Sequence, residues 1–235
     1  MTIEYRFYFQ DDQGSLSYQI DPSDNNNGTT RAKEPADWTR LENCQCTNCP
    51  LSKDEQIRCP AALDMQKVVE DFGNLPAMKK VDVHVVSPER EYRKLTGIEE
   101  GLRSLMGLIL ANSGCPILSK LRPMAYTHLP FSSQSDFIIR SVGTYLVRQY
   151  FHKQSEQTAD WELDGLIELN QQLRLVNQAL WQRVHGASPN DSNLKALLSF
   201  FTMSSSVSYS LEAQLAKIRH AFMADTDIGD FEGKS

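Results

Sequence analysis

Ile3, Tyr5, Phe7 and Phe9 alternate with Glu4, Arg6, Tyr8 and Gln10. That period of two predicts a strand with one buried face. Asp11-Asp12-Gln13-Gly14 has the chemistry of a turn, and Leu16, Tyr18 and Ile20 then alternate again. A β-hairpin follows from the pair. Residues 21–36 are polar and rich in Asn, Asp, Thr and Pro, which predicts a loop. Pro60 stands where a helix can open, with Leu63, Val68 and Phe72 along its run and Gly73 at its end. Val81, Val83 and Val85 predict a third strand.

Beyond Ser87-Pro88 the period changes. Ile98, Leu102, Leu105, Met106 and Ile109 recur at helical spacing, with Gly114 as the expected C-terminal cap. Ser133-Gln134-Ser135-Asp136 resembles a capping box and predicts a helix carrying Ile138, Val142, Tyr145, Leu146 and Tyr150. From Trp161 onward, Leu166, Leu169, Leu173, Val176 and Leu180 step by three and four, the signature of a helix-packing seam. Ser188-Pro189 predicts another helix start, with Leu194, Leu197, Leu198 and Phe201 on its face; Leu211, Leu215, Ile218 and Phe222 mark the last helix. The expected class is α+β. A small metal-stapled α+β module (1–88) precedes a mainly antiparallel helical bundle (89–224), and an acidic tail (225–235) closes the chain.

The staple is expected from the cysteines. Four of the five fall within sixteen residues, as Cys44-x-Cys46-x2-Cys49 and Cys59. The two-residue gap between Cys46 and Cys49 lets two sulfurs converge on one ion, and Cys44 and Cys59 complete a four-thiolate set. Zinc is the default metal, in a closed structural role; an iron–sulfur cluster takes the same four thiolates and stays open. Bare thiols and a pair of disulfides are the alternatives. A module of 88 residues buries little apolar surface, so a metal staple makes physical sense.

Charge adds a second candidate. The formal net charge is -6 and the pI about 5.4, which disfavours nucleic acid as a partner. Residues 90–153 nevertheless carry nine basic and four acidic side chains between acidic flanks. Arg90, Arg93, Arg140 and Arg148 could present forks of donors to an anion if they converge. Cys115 and His128 invite a nucleophile–base reading. However, Cys115 follows the end of its predicted helix, where the dipole raises a thiol pKa, so a small residue in a tight turn is preferred. The N-terminus has no signal-peptide pattern, and the longest apolar run, near Leu105–Ala111, is too short to span a bilayer. A cytoplasmic protein is expected. Its partners would be another protein or an anionic small molecule.

Six stretches carry a family resemblance: Cys44-x-Cys46-x2-Cys49-Pro50-Leu51, Cys59-Pro60-Ala61-Ala62-Leu63, Glu89-Arg90-x-Tyr92, Leu102 to Gly107, Ser113-Gly114-Cys115-Pro116 and His128-Leu129-Pro130-Phe131. Over residues 40–150 the chain resembles a family of uncharacterised bacterial cytoplasmic proteins. The resemblance implies a bacterial cytoplasmic protein and assigns no activity. The leading expectation is therefore a non-enzymatic binding or regulatory module. The alternatives are an enzyme acting on an anionic small molecule and an iron–sulfur redox sensor.

Overall fold

The alternating strands assemble into one antiparallel sheet of order β2-β1-β3-β4. A computed structural model describes residues 1–10, 14–23, 31–187, 195–196 and 211–223. Strand β1 (Ile3–Phe9) pairs with β2 (Ser15–Ile20) on one side and with β3 (Lys80–Val86) on the other. The buried face carries Ile3, Tyr5 and Phe7 of β1, Tyr18 and Ile20 of β2 and Val81, Val83 and Val85 of β3, as the alternation predicts.

β4 (Glu91–Gly97) was not predicted. It pairs along the whole of β3, from Lys80↔Gly97 to Val86↔Glu91. Its burial is confined mainly to Thr96, because it is an edge strand with little apolar alternation. The expected module boundary at 88 lies in the turn of this β3–β4 hairpin, where Ser87 N–H donates to Arg90 O at 2.8 Å.

Helix α1 (Pro60–Asp71) begins at Pro60 with Cys59 as its N-cap. α2 (Ile98–Ala111) has the most apolar run of the chain and is buried at nine of its fourteen positions. It stops earlier than expected. Asn112 is the C-cap, with its amide donating to Asp21 O at 2.9 Å. Gly114 has a different use: a Cβ there would stand 3.4 Å from Pro60 Cβ, so the turn after α2 presses against the start of α1.

Gly101 marks where α2 crosses the sheet. A Cβ at this position would lie 2.7 Å from Phe7 Cε1 and 3.0 Å from Val83 Cγ2. Overpacking of this kind costs about 1–3 kcal/mol, against about 1 kcal/mol gained by alanine as a helix former. Gly101→Ala is therefore expected to lower the urea midpoint without changing the slope. An unchanged midpoint would mean that Phe7 yields freely.

A short 3-10 turn (Leu118–Leu121) leads into α3 (Arg122–Tyr126), followed by α4 (Gln134–Gln154) and α5 (Asp164–Ala187). The capping box at Ser133 forms: Asp136 N–H donates to Ser133 Oγ at 3.2 Å, and Ser133 N–H donates to Asp136 Oδ2 at 2.9 Å. The seam on α5 is buried at Leu166, Leu169, Leu173, Val176 and Leu180. Its main run joins the same core as the sheet, α1 and α2. Among the described residues, a small second cluster around Ile138, Leu166 and Leu211 packs α4, α5 and the helix at 211–222 together. The α+β class stands. Among the described residues, the apolar stripe of α5 continues the sheet's core. The predicted start at Ser188, the face from Leu194 to Phe201 (apart from residues 195–196) and the tail from 225 lie outside the described residues.

Candidate functional site

The segment 40–59 is pinched at its base. Arg40 and Arg58 form an isolated antiparallel bridge; Leu41 N–H donates to Ile57 O at 2.9 Å, and Cys59 N–H donates to Thr39 O at 2.8 Å. Inside the loop, Cys49 N–H donates to Cys46 O at 3.0 Å, the tight turn expected of a two-residue knuckle. The following helix then sets Cys59 as its N-cap: the amides of Ala61 and Ala62 in the first turn of α1 favour the thiolate electrostatically, against the rise that burial imposes.

Cys115 reaches the same place from the other end of the molecule. Gly114 lies against Pro60, and Cys115 O accepts from Ser119 N–H at 2.9 Å. The amides of Ile117 and Leu118 favour its thiolate electrostatically. Sequence position after α2 suggested the negative end of a helix dipole, whereas the structure presents the donors of the next turn. Cys49, Cys59 and Cys115 are each followed by proline. A proline supplies no N–H of its own, so the amides offered to Cys59 and Cys115 come from the residues beyond it.

Cys46, Cys49, Cys59 and Cys115 line one cavity of about 20 Å³, closed on its far side by Val176, Leu180 and Arg183 of α5. Burial pushes the Cys46 thiol up to about 12, and Cys59, Cys115 and Cys49 add to the rise because each thiolate repels the next. Burial also raises Cys59 and Cys115. Arg183 acts in the opposite direction on Cys46 and Cys59. The four thiols therefore sense one another electrostatically, and a cation among them would reverse the sign of their surroundings. Cys44 does not line this cavity. It is exposed, at a φ of 51°, with its Sγ turned to its neighbour Asn43. Of the four cysteines expected to act together, Cys46, Cys49 and Cys59 line the cavity and Cys44 does not. Among the described residues, no three Cys, His, Asp or Glu side chains already stand in metal-holding geometry.

Arg183 was missed by sequence reasoning. It is 2% exposed. Its Nη1 donates to Trp38 O at 2.8 Å and to Arg40 O at 2.5 Å, and its Nη2 to Leu41 O at 3.3 Å and Cys44 O at 3.4 Å. No carboxylate pairs with it among the described residues. The signal was present: three residues after Leu180, on an otherwise apolar stripe, an arginine occupies a buried-face position.

The basic residues of the middle segment do not converge. Arg93 is committed to Asp82 on the open face of the sheet, with Nη2 at 2.6 Å from Oδ2. Arg140 donates to Met124 O at 2.6 Å and Thr127 O at 3.1 Å, at the end of α3, and Arg148 donates to Lys120 O at 3.0 Å. Arg90 lines an open cleft of about 280 Å³ beside Tyr92, Tyr126 and His128. Cys115 and His128 line different cavities.

His128 belongs instead to a network under the sheet. Tyr5 Oη lies 2.5 Å from His128 Nε2 and 2.7 Å from Ser104 Oγ, and Phe131 N–H donates to Ser104 Oγ at 3.1 Å. Burial, with Arg140 nearby, holds the imidazole down at about 3. An unfolded histidine titrates near 6.5. Below that pH the unfolded chain takes up a proton that the folded chain refuses. Stability is therefore expected to fall as pH drops from 6.5 towards 3, by on the order of 1 kcal/mol per pH unit from this group. His128→Gln is expected to flatten that part of the acid limb in melts between pH 7 and 5. A limb of unchanged steepness would assign it elsewhere.

A family model described as a domain of unknown function, DUF6901, matches residues 3–223. The chain belongs to this family. The match takes in the hairpin and the later helices as well as the stretch 40–150 on which the resemblance was read. No curated protein matches, and no solved structure matches. In this DUF6901 chain the matched span contains all four cavity cysteines and Arg183. No helix among the described residues is long and apolar enough to cross a membrane.

Proposed function

We propose that the chain is a cytoplasmic, non-enzymatic binding or regulatory module whose fold is stapled by one zinc ion on Cys46, Cys49, Cys59 and Cys115. One observation carries this reading: four cysteines from three separated segments meet at a cavity beside a buried guanidinium that has no carboxylate partner. A buried charge is costly unless it is paired. Four thiolates around a divalent ion leave a net charge of about -2, which supplies the missing counter-charge. The amides near Cys59 and Cys115, which favour their thiolates, are donors of the kind a metal-bound thiolate uses.

The site would be closed, with every position filled by protein, which favours a structural role over catalysis. The cavity volume of about 20 Å³ is near that of a single water or ion. An iron–sulfur cluster is bulkier and is the second reading, supported by the same donor set. The sulfurs have to draw together to bind either. An enzyme built on Cys115 and His128 has less support, since the two line separate cavities and His128 is held neutral.

The test is elemental analysis with an absorption spectrum on the full chain, purified without air or chelators. One zinc per chain and no visible absorption is the expected result. Iron with broad visible absorption would transfer the site to a cluster and make redox sensing the function. Protein free of metal under these conditions, and taking none up on titration with zinc, would sink both readings.

A further inference from the structure

A second cavity, of about 70 Å³, opens between α2, α3 and the loop His128–Phe131. It shares no lining residue with the cysteine cavity, so its fate is independent of the zinc reading. Its walls are mainly hydrocarbon: Leu108 of α2, Leu121, Met124 of α3, and Phe131 and Phe137. Phe131 sits at a φ of 57°, an uncommon conformation for a bulky residue, and its N–H is pinned to Ser104 Oγ at 3.1 Å. The loop is thus held in a conformation that leaves room beneath it.

One cation lines this cavity without an ion pair. Arg140 uses Nε and Nη2 on the carbonyls of Thr127 and Met124, and no carboxylate lies within salt-bridge distance among the described residues. Burial lowers its pKa, as expected of a guanidinium partly withdrawn from water. The other polar groups of the lining are less available. Ser104 is engaged with Tyr5 and Phe131, His128 with Tyr5, and Arg103 stands 3.8 Å from Glu100. Arg140, with Asp136 acting on it at longer range, has its Nε and Nη2 on carbonyls and leaves Nη1 for a ligand; so few available donors in an apolar chamber suit a monoanion with a hydrocarbon body better than a phosphate, which carries more charge and needs more donors.

We propose that this cavity binds a short-chain carboxylic acid, its carboxylate on Arg140 and its tail against Leu108, Met124 and Phe131. The volume sets the length of the tail. An apolar cavity of about 150 Å³ holds the six carbons of benzene, so about 70 Å³ takes roughly three carbons of tail; with the carboxylate outside that volume, on the half-exposed Arg140, the acid is butyrate or its near neighbour. Of the four arginines that sequence reasoning grouped as one anion site, this assigns the ligand to Arg140 alone.

The test is a titration calorimetry series on the full wild-type chain at pH 7, from acetate through butyrate to octanoate, with butyramide and inorganic phosphate as controls. Butyrate is expected to bind saturably, with a dissociation constant on the order of 1 mM as suits so few atoms. Butyramide should bind at least about tenfold more weakly, and affinity should fall again by octanoate. Arg140→Gln should lose butyrate while Arg148→Gln keeps it. Because Arg140 also holds the end of α3, the acid–amide comparison on the wild-type chain decides the matter if that variant fails to fold. Equal binding of acid and amide, preference for phosphate, affinity rising through octanoate, or no saturable binding would each overturn the proposal.

Discussion

Replacing Arg183 with Met is expected to cost the fold about 3–5 kcal/mol, since several buried carbonyls lose a charged donor at about 1–3 kcal/mol for each group left unsatisfied. The side chain is 2% exposed and satisfies four backbone carbonyls, at Trp38, Arg40, Leu41 and Cys44. Those carbonyls belong to the loop that carries Cys44, Cys46 and Cys49, so α5 is what holds the cysteine loop against the core. Methionine fills comparable space but donates nothing, so carbonyls buried under α5 lose their partner. Arg183→Lys should recover only part of the loss. A compact ammonium cannot present the two-sided fork that reaches Leu41 and Cys44 as well as Trp38 and Arg40. The readout is a urea or thermal melt of each variant. For a chain of this size, 1 kcal/mol corresponds to a shift of about 2–4 °C. A Met variant within 2 °C of the parent would show that the loop does not depend on this contact.

The second large effect separates the cysteines. If the cavity holds the proposed zinc, Cys115→Ser is expected to lose it together with about 3 kcal/mol or more of stability, since a structural metal contributes folding energy directly. Cys44→Ser should keep both, because Cys44 is exposed and lies outside the cavity lining. Cys46→Ser, Cys49→Ser and Cys59→Ser should behave like Cys115→Ser. The measurement is metal content beside the melting temperature for the five single variants. If Cys44→Ser strips the metal and Cys115→Ser does not, the quartet is the one the sequence spacing suggested, and the cavity is a different feature. Adding a chelator to the parent should reproduce the destabilisation of Cys115→Ser, whereas the same chelator should barely move the Ser variant itself.

These two experiments bear on one another. Arg183 lines the cavity that holds the thiols and opposes the rise that burial imposes on Cys46 and Cys59. If the site carries the net negative charge of a metal tetrathiolate, Arg183→Met should weaken metal retention as well as the fold, and the two losses should not add. A double variant, Arg183→Met with Cys115→Ser, is then expected to be little worse than the more damaging single change.

The strands and helices with strong periodicity were legible locally. Tyr5 and Phe7 face the core because alternate side chains of a strand share a face, and Leu173, Val176 and Leu180 are buried because steps of three and four share a helix face. Pro60 at the start of α1 and the Ser133–Asp136 capping box followed from backbone chemistry within a few residues. Strand β4 was not legible. The stretch Glu91–Gly97 has few apolar positions, and it is a strand because β3 offers an open edge and Thr96 can bury there.

What the sequence by itself determined is the inventory: a β-hairpin, a buried helix at 98–109 and four thiols within sixteen residues. Only the tertiary structure decided which thiols meet. Cys44 is two residues from Cys46 yet faces solvent, while Cys115, sixty-six positions beyond Cys49, lines the same cavity. The reason is geometric. A chain held in a turn at φ 51° directs neighbouring side chains apart, whereas the close approach of Gly114 to Pro60 brings two remote Cys-Pro turns side by side. Likewise, the arginine that matters to the thiols lies outside the basic segment. Nothing in its local sequence says that α5 will fold back over the cysteine loop; that follows from where its apolar stripe finds the rest of the core.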